Sequence, residues 1–167
     1  MGNWSARLLH PPRVGLSSVV VSWRLRRPEY WKHDPASAYV ADFNYGFTRN
    51  PWDRVVSLWH HWLEQRRQGV QPTFEEWVLQ PNGYLEAGYH SQPTMFWLKD
   101  AEWVGHYEKR ELHLKELCVF LRRDVPPDNV NPTIRRPYRE YFTDVSVRDR
   151  VATLYASDIE RFEYTYD

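Results

Sequence analysis

The stretch that decides the fold covers residues 43–59, and it reads Phe43-Asn44-Tyr45-Gly46-Phe47-Thr48-Arg49-Asn50-Pro51-Trp52-Asp53-Arg54-Val55-Val56-Ser57-Leu58-Trp59. Its first six residues alternate aromatic with small or polar side chains, which is the spacing of a strand. Asn50 is a good N-cap and Pro51 suits the first helical position. Val55, Trp59 and Trp62 then recur at helical spacing. A strand that runs directly into a helix predicts an α/β protein.

Elements on either side of this stretch continue the same order. Ala6–His10 and Glu102–Tyr107 are predicted strands, and Arg24–Ala38 reads as a connection. Capping boxes at Thr73 and Ser146 begin two further helices. Two helices carry apolar residues on one face. The first of them has Leu114, Leu117, Cys118 and Leu121 on that face, and the helix from Ser146 has Val151, Leu154, Tyr155 and Ile159. The sequence therefore predicts a small parallel sheet flanked by helices, with a helix-rich C-terminal half.

Composition limits the classes of protein to consider. The 22 basic and 22 acidic residues give no net charge, so we expect no nucleic-acid partner. Hydrophobic residues make up 42%, enough for one domain over residues 1–167. The aromatic content of 16% suits either core packing or stacking against a sugar or base. The single cysteine excludes an internal disulfide, and without a signal peptide or membrane span we expect a soluble, cytoplasmic chain.

The junction of the central strand and helix has the features of an anion site. Arg49 precedes a helix N-terminus, where open backbone N–H groups and the helix dipole favour an anion. Its guanidinium can hold a phosphate bidentately, and Ser57 lies two turns further on. Arg54 shares a helical face with Ser57. The alternative is that the two arginines simply pair with Asp42 or Asp53.

Thirteen residues of this junction carry a family resemblance. Phe47–Trp59 closely resembles the 3′-phosphate-binding motif of the carbohydrate-type sulfotransferases, which use 3′-phosphoadenosine 5′-phosphosulfate (PAPS). The resemblance extends over roughly residues 39–167, through segments similar to the family's C-terminal half: Val104–Glu108, Val130–Thr133, Tyr138–Phe142 and Asp158–Tyr164. It implies a single P-loop-like sulfotransferase domain in which Arg49 and Ser57 bind the 3′-phosphate of the donor.

The family's 5′-phosphosulfate loop has one counterpart here, within residues 12–18. Read alone, this segment is a serine-capped turn; beside the resemblance, it implies that Arg13, Gly15, Ser17 and Ser18 bind the 5′-phosphosulfate. Arg13 stands where the family has lysine, and the two are not interchangeable donors. About 25 residues separate this loop from the strand at Phe43, so the N-terminal half is short for the family.

The resemblance also implies a reaction, namely in-line transfer of a sulfuryl group from PAPS to a hydroxyl, which we expect to belong to a carbohydrate. Arg13 would stabilise the leaving phosphate oxygen. His33 is the first choice for the catalytic base and Glu29 the second, although either can be an ordinary surface residue. Arg135 and Arg136 would clamp the adenosine phosphate, the alternative being a solvated basic pair.

The remaining candidate ligands do not form a metal site in the sequence. His60 and His61 are adjacent on a helix and point in different directions. His113 and Cys118 have no partners at zinc spacing, so we predict no metal. Two other functions stay open beside the enzyme: a nucleotide-binding relative that does not transfer sulfate, and a protein-interaction domain that binds no nucleotide.

Overall fold

The sheet of this protein is parallel, and it confirms the predicted fold class. The computed structural model describes residues 5–11, 30–32, 41–66, 68–124 and 135–167. In those ranges the strands are β1 (Ala6–His10), β2 (Tyr30–Lys32), β3 (Phe43–Thr48) and β4 (Trp103–His106). They are ordered β2-β1-β3-β4, and each neighbouring pair is parallel. The three predicted strands are confirmed.

Strand β2 is a correction, because Arg24–Ala38 was expected to be a connection. Tyr30, Trp31 and Lys32 pair in parallel with Leu8, Leu9 and His10 of β1. A run of three residues is too short to show the alternation by which strands are recognised. The two aromatic residues favour a strand, but the charged and proline-containing surroundings hide that preference.

Helices make up most of the remaining described residues. They are α1 (Pro51–Gln65), α2 (Phe74–Leu79), α3 (Tyr84–Ala87), α4 (Thr94–Leu98), α5 (Arg110–Leu121), α6 (Val145–Leu154) and α7 (Ala156–Phe162). Short 3-10 helices lie at Tyr89–Ser91, Tyr107–Lys109 and Tyr138–Tyr141. The Thr73 capping box is confirmed, since the Thr73 hydroxyl accepts from the Glu76 N–H and the Glu76 carboxylate accepts from the Thr73 N–H.

The last predicted helix differs from the structure in two ways. Its N-cap is Asp144 rather than Ser146, because the Asp144 carboxylate accepts the Ser146 backbone N–H at 2.8 Å. It also breaks at Tyr155, whose φ of −112° and ψ of 24° separate α6 from α7. Neither glycine nor proline marks this break, so the helical spacing of the apolar residues predicts one continuous helix.

The chain divides into two compact units, and the first contains the sheet. It comprises Met1–Arg49 and Thr94–Pro132. One sheet face packs with α5 to form a core of Leu8, Tyr45, Phe47, Leu114, Leu117 and Cys118. On the opposite face Gly46 lies against α4, where an added Cβ would come within 2.5 Å of a Leu98 side-chain carbon. Helices therefore cover both faces of the sheet, as predicted.

The second unit is helical and comprises Asn50–Pro93 and Thr133–Asp167. Its core combines one side of α1 with residues of α2, α3, α6 and the segment around residue 141, and it is rich in aromatic rings: Trp52, Val55, Val56, Leu58, Phe74, Trp77, Val78, Leu85, Tyr141, Phe142, Val147, Val151 and Tyr155. Many of the aromatic side chains are thus core residues. The organisation of residues 1–167 as one domain stays a prediction.

Candidate functional site

Arg49 lies at the carboxyl end of β3 and stacks on an aromatic ring. Thr48 pairs with His106 across β3 and β4, so the next residues in each chain segment, Arg49 and Tyr107, lie side by side. The Arg49 guanidinium carbon is 4.2 Å from the centre of the Tyr107 ring, and the arginine is only 7% exposed. Stacking engages the face of a guanidinium and not its in-plane N–H donors. The geometry therefore fixes a buried cation at this edge of the sheet.

Thr48, just before Arg49, adds a second polar group to the same strand end. Its side chain is fully buried, and within the described part of the chain its hydroxyl has no hydrogen-bond partner. Buried hydroxyl groups normally have a partner, because an unmade hydrogen bond costs free energy. The carboxyl end of β3 thus carries a buried hydroxyl as well as a buried cation.

The start of α1 is capped more completely than the sequence predicted. Asn50 is the N-cap and Pro51 the first helical residue, as expected. The Asn50 side-chain oxygen accepts the backbone N–H groups of Trp52 and Asp53, at 3.1 and 3.3 Å. Proline has no N–H, and Arg54 donates its own to the Asn50 carbonyl at 2.8 Å. The expectation of open N–H groups is therefore wrong, and an anion here would depend on side chains and the helix dipole.

Ser57 and Arg54 both lie on the buried side of α1. Ser57 is 3% exposed, whereas Arg54 is fully buried. Arg54 donates from Nη2 to the His90 carbonyl oxygen at 3.1 Å, and its guanidinium is 5.6 Å from the centre of the Tyr155 ring. Arg54 thus links α1 to the 3-10 helix at residues 89–91, which is a structural role. Because Arg54 has this structural role, Ser57 is the side chain of α1 that we retain for the phosphate-binding prediction.

Tyr155 completes the polar network around Arg54. Its hydroxyl donates to the Ser91 carbonyl oxygen at 2.5 Å in the interior of the second unit. Burial raises the pKa of Tyr155 far above its ordinary value; the Arg54 charge opposes this shift, and the buried Asp158 adds to it. The tyrosine is therefore a neutral hydrogen-bond donor, which suits a structural contact.

Arg135 and Arg136, both predicted to clamp phosphate, have different environments. Arg135 forms an ion pair with Asp53, in the first turn of α1, and the two side chains are only 10% and 17% exposed. Arg136 is largely exposed, 3.8 Å from the Glu140 carboxylate and over the Tyr141 ring at 4.9 Å. Binding of phosphate by either arginine stays a prediction.

Asp42 and Asp53, the acidic residues of the alternative pairing, each contact a further residue. Asp42 accepts the backbone N–H of Ser5 at 2.7 Å and its hydroxyl at 3.0 Å, and these bonds lower the Asp42 pKa. Asp53 pairs with Arg135, as described. The alternative, in which Asp42 or Asp53 pairs with Arg49 or Arg54, stays open beside the phosphate-binding prediction.

Several predicted site residues lie outside the described part of the chain. They are Arg13, Gly15, Ser17 and Ser18 of the donor loop, and the candidate bases Glu29 and His33. Tyr107, in contrast, lies in the described part of the chain and contacts Arg49, but no role was predicted for it from the sequence. A signal for Tyr107 was present, because residues that follow neighbouring parallel strands meet at one edge of a sheet.

The described residues contain neither a metal-binding cluster nor a membrane-spanning helix. Among them, no group of three or more His, Cys, Asp or Glu side chains is arranged to hold a metal ion. His113 accepts the His106 backbone N–H at Nδ1, 2.7 Å away, and burial raises the pKa of the Cys118 thiol. None of the described helices combines the length and the apolar character needed to cross a membrane.

Comparison with known proteins gives one structural likeness. No protein-family model and no curated protein matches the chain. Among solved structures it is similar to the crystal structure of a sulfotransferase from Alicyclobacillus acidocaldarius, with 18% sequence identity and a TM-score of 0.44. The likeness covers 75% of this chain and 55% of the sulfotransferase. The chain therefore matches little more than half the length of that protein.

Proposed function

We propose that this protein is a PAPS-dependent sulfotransferase that transfers a sulfuryl group to a hydroxyl, with carbohydrates as the acceptor class. The observation that carries the proposal is the stretch Phe47–Trp59, which resembles the 3′-phosphate-binding motif and forms the strand end and helix start that such a motif needs. The environment of Arg49 supports the proposal, because an arginine that only forms a surface salt bridge does not need to be buried and stacked on a ring as Arg49 is.

In this proposal Arg49 and Ser57 bind the 3′-phosphate of the donor. Arg49 supplies a cation whose planar N–H donors match phosphate oxygens, and Ser57 supplies a hydroxyl that can donate to the same group. With the N–H groups of the first turn engaged by Asn50, side chains carry the recognition and the dipole of α1 adds a favourable field. Losing either side chain is therefore expected to weaken nucleotide binding.

The proposed reaction breaks the bond between the donor's bridging phosphate oxygen and sulfur, and it forms a bond between the acceptor oxygen and the same sulfur. 3′-Phosphoadenosine 5′-phosphate (PAP) leaves, and a base accepts the proton of the acceptor hydroxyl. By resemblance, Arg13, Gly15, Ser17 and Ser18 stabilise the leaving phosphate, and His33 is the proposed base. Positioning and charge stabilisation then account for most of the rate, by analogy with phosphoryl transfer.

A second candidate function is nucleotide binding without transfer. Arg13 favours it, since this residue replaces the lysine of the family's donor loop. A lysine is a compact point donor to a bridging oxygen, whereas arginine is a wider planar fork. Wild-type transfer distinguishes the two functions, because both bind PAP but only a transferase with Arg13 in the donor loop moves sulfate to an acceptor.

The test is transfer of labelled sulfate from PAPS to a panel of glycan acceptors, with PAP release measured in parallel. We expect wild-type transfer to be lost in Arg49→Ala and strongly reduced in Ser57→Ala. Arg161→Ala is the matched control, since Arg161 is an exposed arginine near the end of α7. Binding of PAP without transfer to any acceptor would favour the second candidate, and an absence of PAP binding would refute both.

A further inference from the structure

The ion pair between Arg135 and Asp53 lies beside the proposed phosphate site. Asp53 is in the first turn of α1, and Ser57 follows it by four residues on the same helix. Side chains four residues apart on a helix are neighbours, with Cβ atoms about 6 Å apart. A phosphate that Ser57 binds would therefore lie close to the Asp53 carboxylate. That negative charge would oppose the anion unless a cation balanced it.

Arg135 is a cation that contacts Asp53 in the structure. The contact joins Arg135 Nη2 to Asp53 Oδ1, and both side chains are mostly buried. Charges that are partly withdrawn from water interact more strongly than exposed ones. A pair of this kind is held more firmly than an ion pair at the surface, and it cancels the field of Asp53 at the start of α1.

We propose that Arg135 acts as the counter-ion of Asp53, and that it favours nucleotide binding by neutralising this carboxylate rather than by contacting the phosphate. This inference rests on the proposed function, because it concerns the same 3′-phosphate site. It assigns Arg135 a positioning and charge-balancing role in place of the clamp expected from the sequence. In this role, the negative charge of Asp53 is the reason why residue 135 must carry a positive charge.

The two roles of Arg135 predict different results when Asp53 is also changed. As a counter-ion, Arg135 matters only while residue 53 carries a negative charge, so Asp53→Asn makes it dispensable. As a phosphate clamp, Arg135 matters whatever residue 53 is. Arg135→Lys also distinguishes the two roles. Lysine supplies the charge that a counter-ion needs, but it lacks the planar group with which arginine holds a phosphate bidentately.

The experiment measures the affinity of the full chain for PAP by isothermal titration calorimetry. We expect Arg135→Gln to weaken binding about tenfold, the usual size of coupling between neighbouring charged groups. Asp53→Asn/Arg135→Gln should return to within about threefold of the wild type, and so should Arg135→Lys. Thermal unfolding without ligand verifies that each variant is folded; Arg135→Lys retains the charge of the pair and tests the proposal even if the glutamine variant does not fold.

Three results would overturn the inference while leaving the proposed function intact. In the first, the double variant binds as weakly as Arg135→Gln. In the second, Arg135→Lys loses about tenfold in affinity, as a bidentate phosphate clamp would. In the third, Arg135→Gln binds like the wild type. If the wild type itself does not bind PAP, the proposed function fails and the inference fails with it.

Discussion

Asn50→Ala removes two kinds of hydrogen bond at the start of α1. The side-chain oxygen caps the N–H groups of Trp52 and Asp53, and the side-chain nitrogen donates to the Thr165 carbonyl at 3.0 Å. Loss of an N-cap costs about 1 kcal/mol, and loss of a further hydrogen bond costs about 1 kcal/mol more. We therefore expect the free energy of unfolding to fall by about 2 kcal/mol, measured by urea denaturation without ligand.

Asn50→Asp is the matched control for this prediction. Its carboxylate keeps the cap and interacts favourably with the helix dipole, but it cannot donate to Thr165. We expect it to lose only about 1 kcal/mol, so that its stability lies between those of the wild type and the alanine variant. The reasoning is refuted if Asn50→Ala changes the unfolding free energy by less than about 0.5 kcal/mol, or if the two variants are equally destabilised.

Further substitutions test other parts of the account. Gly46→Ala should lose about 1–3 kcal/mol of unfolding free energy in urea, because the new methyl would meet a leucine carbon at 2.5 Å; stability equal to the wild type would contradict this packing. Tyr155→Phe should lose about 1–3 kcal/mol by leaving the Ser91 carbonyl without its buried donor. Burial raises the Tyr155 pKa, so the stability from its neutral form is fully present below the unfolded pKa near 10 and declines at higher pH. A pH series should therefore show a steeper decline in the wild type than in Tyr155→Phe. Tyr107→Leu should weaken PAP binding about tenfold by removing the ring under Arg49, whereas Tyr107→Phe should bind nearly as well as the wild type; equal affinity for all three would show that the stacking is irrelevant.

The central elements were predictable because short-range chemistry determines them. Alternating aromatic residues specify β3, and Asn50 with Pro51 specifies the start of α1 whatever lies around it. Strand β2 was missed because a three-residue strand depends on pairing with β1, which is a long-range interaction. The break at Tyr155 was missed for a similar reason, since the buried contact of its hydroxyl is made with Ser91, far away in the chain.

The candidate site was predictable only in part. Arg49 and Ser57 were identified by their spacing in a motif, and both are buried in the structure. The hydrogen bonds made by the N–H groups in the first turn of α1 were not predicted. Asn50 was interpreted only as the start of a helix, but its side chain also accepts N–H groups that an anion would otherwise bind. The partners of Arg135 and Arg49 were not foreseen either, since ion pairs and ring stacking between distant segments leave no local pattern.

The most direct test of the central claim is the thermal unfolding of the full chain with and without PAP, for the wild type and Arg49→Ala. At a ligand concentration one hundred times the dissociation constant, binding to the native state adds about 2.7 kcal/mol of stability. We predict a rise in the wild-type unfolding temperature that is lost in Arg49→Ala and retained in Arg161→Ala. No rise in a folded wild-type sample, or an equal rise in Arg49→Ala, would contradict the assignment of the donor site.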